Sequence, residues 1–155
     1  MTLPVVLAAL AGMLPLHGTL VPARSLGGLR LGDSPAHVVA TWGRGFGVCT
    51  GCAQTTWYYN YTRYQPQGAG VEFAGTQVSA LFTLWSPTGW RTTRGLRIGD
   101  PAARITALYG PLALERCGTY DARVLIRARS VTAFYVLRGK VWGFGLMRPS
   151  VSACR

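Results

Sequence analysis

The chain has 155 residues, 49% of them hydrophobic, enough to bury one core of respectable size, which excludes a disordered or fibrous protein. Sixteen Lys and Arg against five Asp and Glu give a net charge of +11, and every cation but Lys140 is Arg. That excess fits either an Arg-rich codon usage or an anionic partner such as a wall polymer, a lipid surface or an acidic protein face.

The first element is apolar. Val5 to Leu16 is too short to span a bilayer comfortably and has the length of the hydrophobic region of an export signal. Small residues at Val21-Pro22-Ala23 suit cleavage after Ala23, so residues 1–23 are expected to be a signal peptide. No Cys follows the apolar run directly, so a bacterial lipid anchor is not indicated.

Next comes a phrase that the chain writes twice. "GLRLGDSPAHVVATWG", from Gly28 to Gly43, returns as "GLRIGDPAARITALYG" from Gly95 to Gly110, and a duplicated structural unit follows from that. Asp33 and Asp100 stand where helix N-caps belong, Pro101 suits a first helical position, and Gly43 and Gly110 read as stops. Behind the first helix run "TTWYYNYTRY", "GVEF" and "QVSALFTLW", with a hairpin turn at Ala74 to Gln77. Behind the second run "YDARVLIRA", "VTAFYVL" and "VWGFGLM", with a turn at Arg138 to Lys140. The expected fold is therefore α+β: two tandem repeats, 24–90 and 91–155, each a short helix followed by an antiparallel three-stranded sheet. Both helices are expected on one face of a shared curved sheet.

Cys49, Cys52, Cys117 and Cys154 are an even number, which an oxidising compartment would pair. Three connectivities exist, and position favours one bridge within each repeat. Cys49 and Cys52 also form a C-x-x-C motif, the spacing of an exported thiol-disulfide enzyme. The helix whose N-terminus would activate the first thiol is missing, so a structural clip is the better reading. No cofactor or metal site is expected, because Cys117 and Cys154 do not supply the second C-x-x-C of a zinc ribbon. His37 has Arg104 as its repeat counterpart, and Glu72, Glu115 and Asp121 form no evident acid-base pair. No enzyme is read.

The strands hold the candidate binding residues. Alternation puts Arg123, Leu125, Arg127 and Arg129 opposite Val124 and Ile126, and Gly143 and Gly145 leave Trp142 and Phe144 as a bulky row. Aromatics on both faces of "WYYNYTRY" cannot all be covered by one helix. Trp57, Tyr59, Arg123, Arg127, Trp142 and Phe144 are thus the expected contacts on an open sheet face, whose composition matches binding hot spots.

"LGDSPAHVVATWG", followed by the "WYY" strand and an F-x-G-x-x-V hairpin, resembles the helix-plus-sheet unit of the small outer-membrane assembly lipoproteins of the SmpA/OmlA type. Two such units in tandem resemble the β-lactamase inhibitor protein architecture, over residues 28–149. What the resemblance implies is an inhibitor-like role. The expected function is a secreted or periplasmic, monomeric, non-enzymatic module binding a protein partner. The alternative is a cell-envelope assembly or structural factor bound to membrane lipid or anionic wall polymer. Export argues against nucleic acid.

Overall fold

The computed structural model describes residues 13–59 and 68–155; Tyr61 and Tyr64 of the first aromatic strand fall outside them. In chain order the elements are β1 (Thr19–Val21), β2 (Ser25–Leu26), α1 (Pro35–Trp42), β3 (Phe46–Val48), β4 (Thr55–Tyr59), β5 (Gly68–Ala74) and β6 (Gln77–Leu84). Then follow β7 (Arg91–Thr92), α2 (Ala103–Tyr109), β8 (Ala113–Arg116), β9 (Asp121–Ile126), β10 (Val131–Leu137) and β11 (Lys140–Met147). Eight strands make one antiparallel sheet in the order β3-β4-β5-β6-β11-β10-β9-β8, and β2-β1-β7 make a second, small sheet. The α+β expectation of a helix and three strands per repeat is corrected: the chain is mostly β, and four strands follow each short helix. The fourth strands, β3 and β8, are short and largely exposed, so they lack the alternation that marks the others.

The duplicated phrase does the same work twice, as a brace between the helix lead-in and a hairpin. Gly32 N–H donates to the Val78 carbonyl and Val78 N–H to the Asp33 carbonyl, at 2.8 and 2.9 Å; Gly99, Val141 and Asp100 repeat the exchange at 2.7 and 2.8 Å. Gly32 and Gly99 take φ of 90° and 92°, a region that favours glycine, which is why both copies keep it. The Asp carboxylates are not helix caps. Each turns back to accept from the backbone N–H three residues earlier, Arg30 or Arg97, at 2.7 and 2.8 Å. Ser34 caps α1 instead, while α2 begins after Ala102 with no side-chain cap. Pro101 stands outside α2, bridged to Lys140.

A pseudo-two-fold axis passes between β6 and β11. Gly143 faces Leu84, and the sister pair, Met147 and Ala80, closes the other end of the contact. Both strands carry a bulge at the same place, skipping Ser79 in β6 and Trp142 in β11. Across the axis Trp85 N–H donates to the Trp142 carbonyl at 2.5 Å and Arg148 N–H to the Ser79 carbonyl at 2.9 Å.

Both faces of the large sheet are covered. Val38 and Trp42 of α1, Ile105 of α2, and Leu20, Leu26, Trp90 and Leu96 of the small-sheet region pack on Tyr59, Val71, Phe73, Leu81, Phe134, Phe144 and Leu146. The opposite face gathers Ala80, Phe82, Leu84, Ala122, Val124, Ala133, Tyr135, Trp142 and Met147 under Tyr120 and Ala153. The segment before Ala23 belongs to the first of these cores. Leu20 is fully buried, β1 pairs with both β2 and β7, and Trp90 Nε1 donates to the Pro15 carbonyl at 2.6 Å. A cut after Ala23 would remove all of this.

Candidate functional site

The structure does not assemble the expected open face. Phe144 is fully buried under the helix side, and Trp142 lies on the opposite face, 8% exposed, its ring 5.2 Å from Tyr120. The bulge at Trp142 shifts the strand by one residue, so simple alternation misassigns the row. Tyr59 is buried against Trp42, its hydroxyl donating to the Gly43 carbonyl at 3.0 Å, and burial pushes its pKa up to about 12. Trp57 is half-buried, stacked at 3.9 Å on Phe46 and edge-on to Phe73. Arg123 lies half-buried opposite Phe134, on the face that the helices cover. Arg127 is exposed in the turn after β9 and donates to its neighbour's carbonyl, that of Ile126, at 3.1 Å. An arginine ladder beside an aromatic row is therefore not present among the described residues.

The cysteines pair as Cys49–Cys52 and Cys117–Cys154. The first bridge clips the exposed loop between β3 and β4, and no helix begins there. The second holds residues 149–155 against the face opposite the helices. There Tyr135 Oη donates to the Ala153 carbonyl at 2.5 Å, and Tyr120 Oη hydrogen-bonds the Arg155 backbone. Burial raises the pKa of both tyrosines, which keeps them as neutral donors. The Arg155 guanidinium pairs with Glu72 at 2.5 Å and sits 5.7 Å above the Phe82 ring.

Of the clefts among the described residues, one joins two tryptophans to two cations that pair with no carboxylate. It measures about 350 Å³ and is lined by Trp85, Leu137, Arg138, Lys140, Val141 and Trp142. Trp85 comes directly after β6, where the chain turns sharply: Ser86 N–H reaches back to the Leu84 carbonyl at 2.7 Å and the Ser86–Pro87 bond is cis. That turn holds Trp85 at φ 63° with its indole 40% exposed, while its N–H is fixed to the bulged Trp142. Tyr120 backs the Trp142 ring from inside the core. Arg138 and Lys140 flank the β10–β11 hairpin, both exposed, and neither joins an ion pair among the described residues. No carboxylate lines the cleft. The arrangement offers an apolar wall with two free cations at its rim, suited to a ligand that is a ring or apolar body bearing negative charge.

Of these residues only Trp142 was among the expected contacts. Trp85 reads in sequence as the end of a strand and Arg138 and Lys140 as a plain turn. Two signals were available: a bulky Trp directly before Ser-Pro, and Arg-Gly where a two-residue hairpin prefers Asn-Gly or Asp-Gly.

Four of the five Asp and Glu carboxylates are engaged elsewhere: Asp33 and Asp100 brace turns, Glu72 pairs with Arg155, and Glu115 accepts from Ser152 at 3.4 Å. The described residues hold no group of three His, Cys, Asp or Glu placed for a metal, and no helix among them is long and apolar enough to cross a membrane.

No protein-family model matches the chain, and no curated protein does. Among solved structures it is similar to an extracellular protein containing an SCP domain from Bacillus anthracis, at 11% identity and a TM-score of 0.53, over 77% of this chain and 44% of that one. The chain thus spans less than half of that protein's length. It is also similar to a DUF4309 family protein from Bacillus subtilis, at 13% identity and a TM-score of 0.54, over 79% of this chain and 84% of that one. At these identities the likeness is one of fold alone.

Proposed function

We propose that the protein is an exported, non-enzymatic binding module that holds a projecting group of its partner in the Trp85–Trp142 cleft. The cleft itself is the observation that carries this: an exposed Trp, fixed in left-handed backbone, beside a second Trp and two unpaired cations. Two disulfides support export, since such bridges persist in oxidising compartments, and one protein of similar fold is described as extracellular. A protein docking face of ordinary size would bury about 800 Å² on each partner, and with both sheet faces covered the cleft is better matched to one inserted group. Its cationic rim favours the envelope-polymer form of the reading over the inhibitor-like form that the tandem resemblance implies.

The test compares wild type with Trp85→Ala for retention on isolated envelopes of the host cell. Retention by wild type that falls at least tenfold in the variant is expected. Equal retention of the two would overturn the reading.

A further inference from the structure

The sister corner of the first half shows what the fold requires at this place and what it does not. Under the pseudo-two-fold, Trp85 corresponds to Arg148, Trp142 to Ser79, Leu137 to Ala74 and Lys140 to Gln77. That corner has a cleft of its own, about 370 Å³, but its lining residues are mostly polar, among them Ser79, Arg148, Ser152 and the ion-paired Glu72 and Arg155, with Arg148 donating to Gln77 Oε1 at 2.7 Å. The fold therefore needs neither indole. The hairpin turns are still more telling. Gly75 occupies its left-handed slot at φ 61°, the residue that such a slot prefers, whereas the second half puts Arg138 there at φ 51°. Side chains other than glycine's are disfavoured in that region, because the Cβ crowds the carbonyl oxygen. Only Ala23, Trp85 and Arg138 adopt it among the described non-glycine residues, and two of the three line this cleft. The second half thus holds a cation in a disfavoured conformation, facing no carboxylate, at the mouth of an aromatic slot.

We propose that the cleft binds a sugar unit carrying an anionic group, a carboxylate or a phosphate, as in an acidic glycan of the cell surface. This rests on the function proposed above and names its ligand class. The flat C–H face of a pyranose ring packs on an indole, and Trp85 presents one at the rim with Trp142 behind it. Arg138 offers a planar fork of donors to the anion, and Lys140 adds a second charge. A volume of about 350 Å³ accommodates one ring with its substituents.

The test is a titration of intrinsic tryptophan fluorescence on the full chain with four probes: a uronic-acid trisaccharide, a hexose phosphate, a neutral trisaccharide, and polyglutamate, which has charge but no ring. Saturable change with the uronic acid or the hexose phosphate is expected, and whichever binds tighter identifies the anion. The neutral sugar and polyglutamate should bind at least tenfold more weakly. Trp85→Ala should abolish the change. Arg138→Gly, which restores the residue of the sister turn, should weaken binding at least tenfold while raising the melting temperature, an outcome that a purely structural Arg138 does not produce. The ligand class is overturned if neither charged sugar binds, or if polyglutamate or the neutral sugar binds as well as they do. Should that happen while Trp85→Ala still loses envelope retention, the cleft stands as the binding site and only its ligand is wrong.

Discussion

The two halves of the large sheet share one backbone plan and part company at one corner. In the first half the corner holds Ala74, Ser79 and Arg148, and the cation that lines its cleft, Arg155, is neutralised by Glu72 and lies over Phe82. In the second it holds Leu137, Trp142 and Trp85, and the cations of its cleft, Arg138 and Lys140, join no ion pair among the described residues. The difference separates scaffold from function. Residues that both halves keep, such as the glycines and aspartates of the duplicated phrase, serve hydrogen bonds made in both. Residues that only one half has, and that the backbone tolerates at a cost, call for another reason.

The largest effect should come from the C-terminal segment that lines the first corner. Removing Cys117–Cys154 by paired serine substitutions opens a loop with a sequence separation of 37. On the chain-entropy model this costs about 4 kcal/mol, against about 2 kcal/mol for Cys49–Cys52, whose separation is only 3. Guanidinium unfolding of the two double variants measures the difference. Equal losses would mean that residues 149–155 contribute no more than the exposed clip.

Alkaline titration reaches the buried tyrosines of both halves, and Tyr59, whose sister position is Leu125, is the one that isolates the first. The Tyr59 pKa is raised by burial to about 12, so the neutral form is favoured by the fold. Its contribution is fully present below pH 10 and is lost as pH rises through 12, at most about 3 kcal/mol. Stability measured from pH 9 to 12 should fall in that window, and Tyr59→Phe should flatten the fall. The substitution also frees the Gly43 carbonyl of its partner, a separate loss seen at all pH values.

Glu72→Gln should cost about 2 kcal/mol, because it leaves the mostly buried guanidinium of Arg155 without its counter-ion. Fluorescence of the Trp85–Trp142 cleft should be unaffected. A change there would show that the two corners are coupled through Tyr120, which touches both Arg155 and Trp142. Smallest is Arg138→Gly, expected to stabilise by about 1 kcal/mol in thermal unfolding through relief of its left-handed conformation. A destabilised variant would show that Arg138 is held there by contacts of its own.

Much of this plan was legible in the residues. The duplicated phrase announced two equivalent units, three strands of each half stood out by β-branched and aromatic content, and the favoured cysteine pairing is the one found. The rest was hidden for identifiable reasons. β3 and β8 are three and four residues long and mostly exposed, so burial imprints no pattern on them. The bulges at Ser79 and Trp142 reverse the alternation within their strands, which is why Trp142 and Phe144 were placed on one face and lie on two. β1 falls within the expected signal of residues 1–23, since a strand and a signal demand the same apolar residues. Ala9-Leu10-Ala11 is an alternative small-residue site upstream of β1. Mass spectrometry of the exported protein should find Leu14 to Val21 retained; a mature chain that starts at Arg24 would refute the role of β1 in the core.

The contact between β6 and β11 has a consequence for descent. Because its pairs exchange under the two-fold, one unit of this kind would meet an identical copy along the same edge in an isologous pairing. A homodimer of single units would have two corners constrained to be alike, because one gene would encode both. A single chain that carries both units is free of that constraint. One corner can then carry an Arg155 paired with Glu72 while the other carries Trp85 and Arg138, a division of labour closed to a symmetric dimer.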